Sequence, residues 1–195
     1  MKEELQGGDV MRQGFKLMNR YFMLPMWRSG MGKLFNLWPH GMGRYLVLVH
    51  RGRKSGTIYH TPVNYTPVGS DIAVMAGFGA GTDWYQNLLA AGEGEIWLAD
   101  GWWKVAVEDI SETPDRIAIY RQLLADTGFA AWLFEGIDYR TITDEELETL
   151  GQRWRMLCLR RVEPCTGPGG PGEYAWVWAL AAMILLLLWP LRRRR

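Results

Sequence analysis

Through the middle of the chain, apolar, aromatic and β-branched residues gather in short runs. These runs fall at 45–50, 57–65, 72–75, 95–99 and 102–107, and Gly, Pro, Asp and Ser residues separate them, which is the pattern of half-buried strands. Ala99, Asp100 and Gly101 make a tight hairpin turn between the last two. A sixth run follows at 153–162. Helical periodicity interrupts the strands at 83–91, with Gly92 as C-cap, and at 114–125, with Thr113 as N-cap and Pro114 at the first helical position. The stretch 128–150 reads as helical or irregular, and Thr143 and Glu146 within it have capping-box spacing. Mostly antiparallel strands with few helices predict a mostly β fold with α (α+β), built on a small barrel.

The two ends of the chain have a different pattern. Residues 10–38 mix Met, Phe, Leu and Trp with Arg12, Lys16, Arg20, Arg28 and Lys33, and Met11, Phe15, Met18 and Phe22 share one helical face. Such an amphipathic helix caps a core or lies on a bilayer surface. Near the other end, 164–173 holds four glycines and three prolines and reads as a linker. The uncharged apolar run 174–191 follows, with Trp176 and Trp178 near one end and Trp189 at the other. At ~1.5 Å per residue it spans roughly 27 Å, close to the ~30 Å of a bilayer core, which predicts a C-terminal transmembrane helix. The expected domains are an N-terminal amphipathic segment (1–43), a barrel (44–163), a linker (164–173) and a membrane anchor with a basic tail (174–195). Residues 1–9 are polar and acidic and contain no signal-peptide core. The expected placement is therefore membrane-anchored with the catalytic domain cytoplasmic, and the bilayer is a partner.

Charge and cysteine content narrow the function classes. The net charge is +1, which is less than the four terminal arginines alone supply, so the rest of the chain is slightly acidic and no nucleic-acid partner is expected. Two cysteines, Cys158 and Cys165, make no disulfide framework and no metal spacing. His40, His50 and His60 are scattered without acidic partners, so no metal is expected. A nucleophile elbow, a Walker loop and a dinucleotide fingerprint are all missing from the sequence.

The segment His50-Arg-Gly-Arg-Lys-Ser-Gly56 joins two strands and places three cationic side chains, two glycines and a hydroxyl in seven positions. Glycines let successive N–H groups turn inward as a nest, and Arg and Lys add charge-assisted bonds, so the loop suits an anion. After it come Thr-Ile-Tyr-His-Thr-Pro-Val-Asn-Tyr at 57–65, Ile-Ala-Val-Met-Ala-Gly-Phe-Gly-Ala-Gly at 72–81 and Thr-Asp-Trp-Tyr-Gln-Asn-Leu at 82–88. Taken in this order, the segments resemble the deazaflavin (F420)-dependent nitroreductase and quinone reductase family, over about 44–162.

The resemblance implies a split β-barrel of the FMN-binding, flavin-reductase-like type. It implies coenzyme F420, which has an anionic tail and a flat ring, with FMN or FAD as the alternative. Arg53, Lys54, Ser55 and Gly56 would take the anionic end. Ala76, Gly77, Phe78 and Gly79 match the family's close-approach turn, and Trp84 and Asn87 match its pocket helix, although Trp84 also suits a plain core position. Two departures stand out: Tyr59, three residues before Pro62, replaces an arginine common in relatives, and Gly77 replaces a frequent serine. Deazaflavins pass two electrons as a hydride, so few catalytic side chains are needed. Tyr139 is the first candidate proton donor, ahead of Tyr85 and Tyr120, and Phe129, Trp132 and Phe134 fall in the segment that lines the acceptor side in relatives. The expected activity is hydride transfer to a lipid-soluble quinone or a nitroaromatic acceptor. A non-catalytic module that binds a cofactor or lipid is the remaining alternative, and a homodimer is a further expectation.

Overall fold

Alternation along the strands separates two apolar surfaces, and the computed structural model shows how each is covered. It describes residues 13, 14, 16–38, 43–128 and 137–192. Six strands, β1 (Tyr45–Arg51), β2 (Ile58–Val68), β3 (Asp71–Ala76), β4 (Glu93–Leu98), β5 (Gly101–Asp109) and β6 (Arg155–Pro164), close into a barrel in the order β1-β2-β3-β6-β5-β4. All neighbouring pairs are antiparallel. Closure leaves no unpaired sheet edge.

One parity points inward. Leu46, Leu48, Ile72, Val74, Ile96, Leu98, Val105, Leu157 and Leu159 are buried together in the barrel. Trp84, Tyr85 and Leu88 join them from α1 (Asp83–Ala91). On the opposite parity, Ala73 of β3 and Met156 of β6 pack with Tyr120, Leu123 and Leu124 of α2 (Arg116–Thr127) and Leu147 of α3 (Asp144–Gly151). Asp126 is buried against this second core. It accepts from Arg44 Nε at 3.0 Å, Thr66 Oγ1 at 2.5 Å and Gln122 Nε2 at 3.1 Å, which satisfies a charge that would otherwise be costly to bury.

The local signals were mostly sound. α1 spans the expected residues, and Gly92 caps it at φ +68° with its N–H on Leu88 O at 2.9 Å. Thr143 and Glu146 form the reciprocal capping box of α3. Leu98 faces Gly101, so the β4–β5 turn is two residues long. α2 starts two residues later than expected, because the Thr113 hydroxyl donates backward to Ile110 O at 3.0 Å instead of capping.

The C-terminal expectation fails. The chain divides into two compact units, one of residues 33–166 and one of 1–32 with 167–195. In the second, the helix α4 (Trp176–Arg192) is 17 residues long. Tyr174 and Ala175 are used in the turn before it: Tyr174 N–H donates to Arg28 O at 2.8 Å and Ala175 N–H to Gly172 O at 2.9 Å. At ~1.5 Å per residue the helix reaches about 26 Å. No helix among the described residues is long and apolar enough to cross a membrane. The predicted transmembrane helix and the membrane-anchored cytoplasmic placement built on it therefore do not stand. Trp178, expected at a headgroup layer, donates its indole N–H to Ser29 O at 2.9 Å.

Met11 and Phe15 lie outside the described residues. Met18 and Phe22 are exposed, and Met23 and Trp27, four residues apart, are the buried pair. Pro25 has no N–H for the turn before it, and the backbone widens to a π-turn over Asn19–Met23 directly ahead of the helix Leu24–Arg28.

Candidate functional site

β1 and β2 are joined by a loop whose backbone closes on itself. Gly52 N–H donates to Thr57 O and Gly56 N–H to Gly52 O, both at 2.8 Å. A Cβ on Gly52 would lie 2.7 Å from Ser55 Oγ and 2.8 Å from the Tyr59 ring, so the turn closes this tightly only with glycine there. Gly56 has φ +69° and open space where its Cβ would be. Arg51 donates to Gly56 O at 2.8 Å, and the hydroxyls of Ser55 and Tyr59 lie 3.4 Å apart. Lys54 is exposed and has no hydrogen bond or ion pair among the described residues.

Arg53, expected to take the anionic end of the coenzyme, folds back onto α1. Its main-chain N–H and its Nη1 both donate to Asn87 Oδ1, at 3.1 and 2.9 Å, its Nη2 donates to Gln86 Oε1, and Nη1 lies 3.7 Å from Asp83 Oδ1. All three partners are on α1. Gln86 also donates through Nε2 to Ala80 O at 2.8 Å, so one side chain bridges the cationic loop and the glycine-rich turn. The two segments singled out in the sequence are thus joined through α1.

Within that turn, Gly79 has φ +76°, and a Cβ there would sit 2.6 Å from Arg153 O. Gly79 N–H donates to Ala76 O at 2.8 Å, and Thr82 N–H to Gly79 O at 3.1 Å. Ala76 and Trp84 belong to the barrel core, whereas Phe78 is exposed and Gly77 half-buried. Thr82 occupies the N-cap of α1 without capping it, and its hydroxyl oxygen is buried with no partner among the described residues.

Below the loop lies His50, which the sequence reading left without a role. It is 5% exposed. Burial, then the nearby charge of His60, push its pKa down from 6.5 to about 4, against a smaller opposing effect of Asp83. Its parity on β1 matches Leu46 and Leu48, so an inward-facing histidine with a need for polar partners was visible in the pattern.

Tyr139 packs against the second core, whereas Trp84, Tyr85 and Leu88 of α1 belong to the barrel core, and its hydroxyl accepts from Arg140 Nε at 3.2 Å. Tyr85 donates to Asp109 Oδ2 at 2.6 Å, and burial together with that carboxylate pushes its pKa up to about 12. Tyr120 is fully buried with its hydroxyl on Gly151 O at 3.3 Å. Phe129, Trp132, Phe134 and His40 lie outside the described residues.

Several solved structures are similar. An F420-H2 dependent reductase, FDR-A, is 16% identical over 60% of this chain and 93% of its own, with a TM-score of 0.42. A pyridoxamine 5'-phosphate oxidase-related, FMN binding protein from Nostoc punctiforme is 15% identical over 70% and 80%, with a TM-score of 0.43. A third, described as a domain-swapped dimer, is 14% identical over 60% and 79%, with a TM-score of 0.44. With TM-scores below 0.5, none of the three bears on what this chain binds or how it assembles. No curated protein matches the chain. The model of the F420H(2)-dependent quinone reductase family, however, matches residues 23–148, well over half of the chain and the whole of the cationic loop, the glycine-rich turn and α1. The chain therefore belongs to the F420H(2)-dependent quinone reductase family, whose members are oxidoreductases with F420 as coenzyme.

Proposed function

We propose that the chain passes a hydride from reduced F420 to a quinone or nitroaromatic acceptor, with the coenzyme's acidic end on the 52–57 loop. The observation that carries this reading is the way α1 consumes Arg53 and leaves Lys54 and Ser55 facing out from a glycine turn. The donor set suits the coenzyme. Lys54 offers an uncommitted ammonium, Ser55 and Tyr59 offer hydroxyls, and Gly56 leaves open space beside them. Thr82 adds a buried hydroxyl without a partner among the described residues at the N-terminus of α1, next to the Ala76, Gly77, Phe78 and Gly79 turn.

In this reading Arg53 and Asn87 hold the loop in place, and Lys54 and Ser55 contact the anionic end. Exposed Phe78 offers an apolar face for a flat ring, and Trp84 forms the wall behind it. The bound coenzyme supplies the hydride; the protein orients it and excludes water. Tyr139 is kept as proposed proton donor to the acceptor. Its O–H proton is free to donate, since its oxygen accepts from Arg140.

The test is oxidation of reduced F420 by the purified chain, with and without a menaquinone-like or nitroaromatic acceptor. Acceptor-dependent oxidation is expected. If neither acceptor class accelerates it, the reading fails.

A further inference from the structure

Beneath the loop, His50 meets three side chains. Its Nδ1 lies 3.2 Å from Asn87 Nδ2, its Nε2 lies 3.0 Å from Thr61 Oγ1, and its ring stacks on Tyr59 with centroids 5.7 Å apart and planes at 23°. The direction of these bonds follows from Arg53. Two Arg53 donors occupy Asn87 Oδ1, so the amide must present its NH2 group to the imidazole. An NH2 group only donates. Nδ1 is therefore an unprotonated acceptor, and the ring's single proton is on Nε2, donated to Thr61 Oγ1.

We propose that His50 is a positioning residue of the coenzyme site: through Asn87 it fixes the Arg53 N–H, and through Tyr59 it backs Ser55, so that it sets both flanks of the loop that receives the anionic end. This rests on the F420 reading above. The two arms are physically separate. One is a chain of hydrogen bonds from Thr61 through His50 and Asn87 to Arg53, and the other is a ring stack that ends at the Tyr59 and Ser55 hydroxyls. His50 is where the barrel wall meets both.

A histidine that merely fills the barrel mouth predicts a different order of variants. Leu and Gln approach its volume, whereas Asn leaves a gap. Asn alone places an acceptor near the position of Nδ1, while Gln reaches toward Nε2. If positioning is the role, His50→Asn keeps the acceptor for Asn87 and with it the Arg53 N–H bond, though not the stack on Tyr59, whereas His50→Gln and His50→Leu lose both. If filling is the role, the order reverses.

Two readouts on the full chain separate these cases. The first needs no coenzyme: hydrogen exchange of the Arg53 amide by NMR. His50→Leu and His50→Gln are expected to speed it about 5- to 30-fold, the factor that corresponds to losing ~1–2 kcal/mol of hydrogen bonding, while His50→Asn stays within about threefold of wild type. The Ile96 and Leu157 amides of the barrel wall serve as controls and should not change. The second readout is F420 affinity, which should weaken in the same order by about tenfold or more. Unchanged Arg53 exchange in His50→Leu, or a ranking by side-chain volume, overturns the inference. If the exchange order is as expected but the wild type does not bind F420, the functional reading is what has failed, and the coenzyme role of His50 is overturned with it.

Discussion

Arg53 meets Asn87 twice, once through its main-chain N–H and once through its guanidinium, both on the same amide oxygen. A loop cation and the helix behind it are thereby fixed together. Asn87→Leu would remove the shared acceptor and also leave His50 Nδ1 facing carbon. Unsatisfied buried polar groups cost about 1–3 kcal/mol each, so unfolding free energy should fall by roughly 2–4 kcal/mol. Urea denaturation checks this, and a midpoint equal to wild type would mean that the amide holds nothing.

Lys54 stands alone on the loop. Lys54→Ala should weaken F420 binding about 10- to 100-fold, since hydrogen bonds to charged groups are worth about 1.5–3 kcal/mol. The wild-type affinity should also fall as salt is raised. Fluorescence titration reads both, and a Lys54→Ala protein that binds as tightly as wild type would remove the loop from the site.

Asp83 is a carboxylate beside the proposed anion site, with its side chain 85% exposed and 3.7 Å from Arg53. The ion pair itself is worth little at that exposure. Asp83→Asn should therefore tighten F420 binding about two- to fivefold at low salt, and the gain should shrink in high salt. Weaker binding in the variant would show that Asp83 serves mainly to hold Arg53.

His50 makes stability depend on pH with a definite sign. Its native pKa lies near 4 against 6.5 in the unfolded chain, with burial the main cause. Between those values the unfolded chain takes up a proton that the native ring refuses, so stability rises with pH across the window. Its contribution is complete above about pH 6.5 and fades as pH falls toward 4. At about 1.4 kcal/mol per pH unit, this amounts to roughly 3 kcal/mol. Urea midpoints at pH 7 and pH 4.5 should differ more in wild type than in His50→Asn. Equal differences would place the His50 titration elsewhere.

The barrel was legible because short β-rich runs are separated by Gly, Pro, Asp and Ser residues, and Asp100-Gly101 marks a turn that permits little else. The loop and the glycine-rich turn could each be picked out from their residues. Their junction could not, because Gln86 and Arg53 are 33 positions apart and nothing local in Trp-Tyr-Gln-Asn announces a bridge. The C-terminal run misled for a simpler reason. Hydropathy counts Tyr174 and Ala175 as helix, but their N–H groups are used in a turn, and the remaining helix is not long and apolar enough to span.

Gln86 and Asn87 are adjacent on one turn of α1, and each grips the same arginine. A single residue inserted between Thr82 and Gln86 would swing both side chains about 100° around the helix axis and unhook the cationic loop and the glycine-rich turn together. Length changes in the exposed tip of the 52–57 loop carry no such linkage. Natural or laboratory variation should therefore tolerate remodelling at the tip while keeping the first two turns of α1 in register, and anyone transplanting this loop into another barrel must carry the helix along with it.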